Sequence, residues 1–82
     1  MNKEQKIPDN YIFEYREKIG KIIRELRENK NYSQDDLAGI MGVHRSTLSK
    51  IESGKFAITI DYLAKFSWYL DFEISLVGNE DV

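Results

Sequence analysis

Cysteine is absent from this chain, and proline and histidine each occur once. Without cysteine there is no disulfide and no thiolate metal site, a composition that fits a reducing cytoplasm. His44 is the single histidine, so a histidine-rich metal site or a serine–histidine–aspartate device would have to be built around one imidazole. Ser33, Ser46, Ser49 and Ser53 have no base and orienting acid placed with them, and no glycine-rich phosphate loop is present, so catalysis is not expected. No apolar run approaches the ~20 residues of a membrane span. Residues 1–6 are polar and lack the character of a secretory leader. The expectation is a cytoplasmic protein with no cofactor, no metal, no membrane contact and no enzymatic activity.

What is there is ordinary for a folded protein: 82 residues, 41% hydrophobic and 32% charged. That length allows one domain, which buries only about 60% of the surface its unfolded chain exposes. The net charge is −2, which by itself speaks mildly against nucleic acid. Its distribution matters more. Residues 1–30 carry eight Lys/Arg against six Asp/Glu. Residues 44–58 carry Arg45, Lys50 and Lys55 against Glu52 alone. Residues 56–82 carry Lys65 against Asp61, Asp71, Glu73, Glu80 and Asp81. The acidity is concentrated in the C-terminal third, which leaves room for a positive face elsewhere.

Residues 1–9 read as a loose polar arm. From Asn10 or Tyr11, apolar residues fall at 12, 15, 19, 22, 23 and 26, the stripe of an amphipathic helix. Gly20 interrupts the pattern at a cost of about 1 kcal/mol relative to alanine. Asn29, Lys30 and Asn31 end that helix. Ser33 suits an N-cap, with Asp35 and Asp36 at the positive helix end. Leu37, Ala38, Ile40 and Met41 form the apolar face of this second helix, and Gly42 stops it in a left-handed turn. A third short helix runs from about His44 to Ser53 with Leu48 and Ile51 inward, stopped by Gly54. Thr59 caps a fourth through Tyr69, with Leu63, Ala64, Phe66 and Leu70 apolar. Phe72, Ile74 and Leu76 then alternate with Glu73, Ser75 and Val77, a strand pattern. A lone strand exposes unpaired backbone groups, and pairing with a second copy across a two-fold axis would satisfy them. Packing within its own monomer is the alternative. Residues 79–82 form an acidic tail.

Residues 34–53 meet the demands of two short helices crossing at a tight turn. Ala38 sits where a large side chain would clash, Gly42 where the turn needs positive φ, and Leu37, Met41, Val43, Leu48 and Ile51 hold the crossing. With Ser33-Gln34-Asp35-Asp36-Leu37-Ala38 at one end and Gly42-Val43-His44-Arg45-Ser46-Thr47-Leu48-Ser49-Lys50-Ile51-Glu52-Ser53-Gly54-Lys55 at the other, the chain resembles the lambda-repressor/Cro family of helix-turn-helix proteins, the XRE type, over roughly residues 12–70. The resemblance implies an all-α domain of four to five helices. The short strand over residues 71–78 is added to it, paired across a dimer.

The resemblance also implies roles. Arg45, Ser46, Thr47 and Lys50 would meet base edges and neighbouring phosphates from the second motif helix. Gln34, Ser53 and Lys55 would contact phosphates. His44 replaces the serine or threonine usual in the family as cap; it reads either as a surface histidine at a helix start or as a further phosphate contact. Arg27 and Glu52 would form a partly buried ion pair that fixes the reading helix. The lone strand and the aromatic run of the fourth helix, rather than the resemblance, point to Trp68, Phe72, Ile74 and Leu76 as the dimer interface. The expected partner is double-stranded DNA bearing an inverted repeat, bound by a homodimeric repressor. Two other readings stay open. One is an antitoxin that binds both its own promoter and a toxin protein. The other is a protein-interaction module without DNA binding, in which Arg45 and Lys50 form only a solvated face.

Overall fold

In the computed structural model, residues 6–79 are described. They form four helices: α1 (Tyr11–Asn29), α2 (Gln34–Met41), α3 (Arg45–Glu52) and α4 (Ile60–Leu70). Part of the expected N-terminal arm, residues 1–5, and most of the acidic tail, residues 80–82, lie outside the described residues. No helix among the described residues is long and apolar enough to cross a membrane.

Local chemistry sets the boundaries. Ser33 and Asp36 make a reciprocal capping box: Ser33 Oγ accepts from Asp36 N and Asp36 Oδ2 accepts from Ser33 N, both at 3.0 Å. Those bonds satisfy two backbone donors that a helix start would otherwise leave open. The Ser33 backbone amide first, and the Ser33 hydroxyl after it, hold the Asp36 carboxyl below the usual carboxylate range. Thr59 Oγ1 accepts from Tyr62 N at the start of α4. All four helices end in a residue with left-handed backbone: Asn31, Gly42, Gly54 and Asp71. At Asn31, Gly42 and Gly54 the amide bonds three residues back and the next amide bonds five back, as in Val43 N to Ala38 O at 3.0 Å and Lys55 N to Lys50 O at 2.9 Å. This closes the carbonyls that a helix end leaves unpaired.

The core is drawn from every helix. Ile23 of α1, Leu37, Ala38 and Met41 of α2, Leu48 and Ile51 of α3, and Phe66 and Leu70 of α4 are buried. Their periodicity matches the sequence reading, with exceptions that all point outward. Ile12, Tyr15 and Ile22 belong to the apolar stripe of α1 but remain about half exposed. Ile40 is likewise exposed at the back of α2, and Ala64 faces out of α4. These sit at the margins of their stripes, beyond the reach of an 82-residue core.

The strand expected over residues 72–77 does not form among the described residues. A strand needs a neighbour's N–H and C=O groups, and no other segment of the described chain supplies them. Instead Phe72 packs against the core, and residues 72–76 wall one side of an open groove. Its other side is made by Tyr15, Ile19 and Ile22 of α1.

Candidate nucleic-acid interface

α2 and α3 are joined by Gly42, Val43 and His44. Gly42 has φ +71°, and a Cβ there would meet no neighbour, so its glycine serves backbone conformation rather than space. Ala38 is buried in α2, which packs on α3. α3 divides cleanly. Leu48, Ile51 and Glu52 are buried, whereas Arg45, Ser46, Ser49 and Lys50 are exposed and Thr47 is half-buried. The cationic and short side chains therefore point away from the core, as a groove-reading helix requires.

His44 occupies the N-cap of α3 with extended backbone, and its side chain makes no capping bond. Its carbonyl accepts from Thr47 N and Leu48 N. Lys50 Nζ lies 4.9 Å from the Phe56 ring centroid, a cation–π contact that steadies a long side chain. Ser53 Oγ donates to Lys50 O at 3.2 Å, so this hydroxyl closes the end of α3. Lys55 is exposed just beyond.

The reading helix is fixed from behind. Arg27 Nε and Nη2 donate to the two carboxylate oxygens of Glu52 at 2.7 and 3.0 Å. The Arg27 and Glu52 side chains are 8% and 3% exposed, so the pair is buried rather than partly buried. Arg27 Nη1 donates to Tyr32 O at 2.7 Å. Gln34 Nε2 donates to Glu52 Oε1 at 3.0 Å. Gln34 thus begins α2 while bonded to the last residue of α3. The Glu52 carboxylate raises the Arg27 pKa further, outweighing the opposing effect of burial. No buried side-chain nitrogen or oxygen among the described residues lacks a partner. A bidentate pair in which each guanidinium nitrogen has a partner defines one geometry for α3 against α1.

Several contributors escape a reading of the sequence. Gly20 is one. A Cβ there would lie 2.5 Å from Ile51 O and 2.6 Å from Glu52 O, so α1 and the end of α3 meet backbone to backbone. The glycine that weakens α1 as a helix is what lets α3 dock. Gly54 is placed similarly against Glu17 and also has φ +79°. Asp35 is another: its Oδ1 lies 3.4 Å from Arg45 Nε. Aspartate near a helix start reads only as a dipole partner, and the turn that brings it to Arg45 is not visible in spacing alone. Of the expected interface residues Trp68, Phe72, Ile74 and Leu76, the last three line one groove of about 340 Å³ and Trp68 does not. Trp68 stands 80% exposed on α4.

A helix-turn-helix family profile matches residues 23–77, more than half of the chain. The chain belongs to the helix-turn-helix family. Its type is the lambda-repressor/Cro one indicated by residues 33–55. This helix-turn-helix chain is 46% identical over 65 residues to a protein of Methanocella arvoryzae named as an HTH-type transcriptional regulatory protein, covering 79% of the chain and 20% of that protein. It is 43% identical over 58 residues to the HTH-type transcriptional regulator SlrR of Bacillus subtilis, covering 70% of the chain and 38% of SlrR. The helix-turn-helix chain therefore spans about a fifth to two fifths of these relatives. Among solved structures, the restriction-modification controller protein C.AhdI from Aeromonas hydrophila superposes with a TM-score of 0.69 at 33% identity, over 73% of this chain and 91% of C.AhdI.

Proposed function

We propose that this chain is a sequence-specific double-stranded DNA-binding transcriptional regulator, a repressor that inserts α3 into the major groove. The observation that carries the reading is the division of α3. Arg45, Ser46 and Lys50 face outward, while Leu48, Ile51 and the Arg27–Glu52 pair lock the opposite face to the scaffold. Arginine can bond a guanine edge bidentately, worth about 1–3 kcal/mol of discrimination. Ser46 and Thr47 are short enough to let the helix approach the groove floor. Gln34, His44, Ser53 and Lys55 flank the helix at both ends, where contacts to phosphate fix register without reading sequence. Gln34 can serve both partners, because its amide carries a second N–H besides the one given to Glu52.

The same reading includes a homodimer. Tyr15, Ile22, Ile74 and Leu76 present exposed apolar side chains along the groove beside α1. Exposed apolar patches of this kind mark interaction sites. Such a homodimer would read an inverted repeat with half-sites about one helical turn, roughly 34 Å, apart. Sedimentation of the purified chain gives its mass directly, and a monomer at all concentrations would remove the dimer. The exposed Trp68 face of α4 is the feature that favours an additional protein partner such as a toxin, and a defined co-purifying protein would identify it.

Selection of duplexes from a random pool tests the function. The expected result is a two-fold symmetric consensus bound with affinity that falls steeply with salt, through release of counterions from the phosphates. Recovery of no consensus, with binding indifferent to salt, would refute the proposal.

A further inference from the structure

Phe56 is an aromatic residue without a place in the core. It is 41% exposed, and the buried cluster does not include it. What it meets is the outward face of α3. Lys50 Nζ lies 4.9 Å from the centre of its ring. Three bonds converge where the chain leaves the helix. The Lys50 carbonyl accepts from Lys55 N at 2.9 Å, from Phe56 N at 3.3 Å and from Ser53 Oγ at 3.2 Å. Gly54, with φ +79° and placed against Glu17 of α1, makes the turn. The backbone of Lys50 thus anchors the residue whose ring meets its own ammonium.

A ring holds a cation differently from a carboxylate. It is neutral, so the charge of Lys50 stays available to DNA. The ammonium has three N–H donors, and a ring face occupies only one side of it. Among the described residues Lys50 joins no ion pair. Binding therefore does not require this contact to break. Its effect comes through the freedom of the side chain. A lysine stem samples many rotamers, and that freedom is given up on docking. Where only a fraction of free molecules carries the competent rotamer, the apparent affinity falls by that fraction. A ring that holds this rotamer before DNA arrives raises the fraction and leaves the charge unchanged.

We infer that Phe56 is a positioning residue, whose ring holds the Lys50 ammonium on the exposed face of α3 in the arrangement it keeps against DNA. The inference rests on α3 being the DNA-reading helix. It gives a residue outside both motif helices a part in binding, exerted through Lys50 and not through a contact of its own with the duplex.

The test is a double-mutant cycle on the full chain. Wild type, Phe56→Leu, Lys50→Met and the double variant are titrated with the duplex that the wild type selects, at low salt, where the weaker variants still bind. Leucine keeps an apolar side chain but has no ring face. Phe56→Leu is expected to bind about two- to five-fold more weakly. Phe56→Tyr, which restores a ring, should bind as the wild type does. In the Lys50→Met background the Phe56→Leu change should have no effect. NMR of the wild type gives a readout that needs no variant. The ring current should move the Lys50 ε-methylene protons upfield in the free chain, and that displacement should persist in the complex. Melting curves report whether every variant is folded. Equal binding by Phe56→Leu and wild type, the same weakening without the Lys50 charge, no recovery with tyrosine, or loss of the upfield displacement on binding would each overturn the inference. If the wild type binds no selected duplex in a salt-sensitive way, the DNA reading fails first and the role of Phe56 with it. If the wild type binds and the Phe56 variants match it, the role of Phe56 fails alone.

Discussion

Residues 33–55 and residues 72–79 belong to one chain of 82, yet their side chains answer to different neighbours. In the first stretch the helix ends and every apolar residue but Ile40 have their reason inside the monomer. Ser33 and Asp36 cap, Ala38, Leu48 and Ile51 pack, Gly42 and Gly54 turn, and Glu52 binds Arg27 and Gln34. In the second stretch Phe72 alone packs on the core, while Leu76 and Val77 are 95% and 88% exposed. The outer stripe of α1 shares this incompleteness at Ile12, Tyr15 and Ile22. The contrast teaches that a satisfied region reports on the monomer, whereas an apolar region left bare reports on something the monomer lacks.

The comparison breaks first at the buried pair. Glu52→Gln leaves the Arg27 guanidinium buried without its counter-charge, which is expected to cost about 3 kcal/mol. That is a large share of the stability of a domain this size. A thermal melt reads it, and an unchanged midpoint would show that the pair does not hold α3. Next comes the close approach of α1 and α3. Gly20→Ala should gain about 1 kcal/mol in helix propensity. A Cβ 2.5 Å from Ile51 O must push α3 away, however, and overpacking of this kind costs about 1–3 kcal/mol or more. The expectation is net destabilisation in urea unfolding, and a stabilised variant would contradict the packing. Ser33→Ala removes half of the capping box and should cost about 1 kcal/mol.

Acid should act on the same cap. The Asp36 carboxyl titrates lower in the folded chain than in the unfolded one, because the charged form accepts the Ser33 amide. Its contribution is complete above the ordinary carboxylate range and is lost as pH falls through the depressed folded value. Asp36→Asn should abolish this part of the acid sensitivity, as unfolding curves on either side of that range would report. The smallest effect on the fold is expected from the other region. Leu76→Asp should shift monomer stability by no more than about 0.5 kcal/mol, since Leu76 touches little, while abolishing self-association. A large loss of stability without a change in mass would place Leu76 in the monomer fold instead.

The two regions also differ in how much of them the sequence reveals. Helix ends were legible because they follow local rules: Ser33, Thr59, Gly42 and Gly54 all stand where capping and turn chemistry require. The Arg27–Glu52 pair was legible through resemblance, although its full burial and its contacts to Tyr32 and Gln34 were not. Gly20 and Asp35 were opaque because both act on groups brought near by the crossing of helices, Gly20 on a backbone and Asp35 on a side chain. The alternation over residues 72–77 suggested a strand, but period two records only which side chains face one way. It does not supply the hydrogen-bonding neighbour that a strand needs.

The outward face of α3 is the claim on which the functional account stands, and amide NMR shifts on titration with a selected duplex test it most directly. Shifts concentrated in α3 and in the flanking residues Gln34 and Lys55, and weakened in Arg45→Ala, are the expected result. Shifts centred instead on the Ile60–Leu70 helix, with Arg45, Ser46 and Lys50 unmoved, would contradict it.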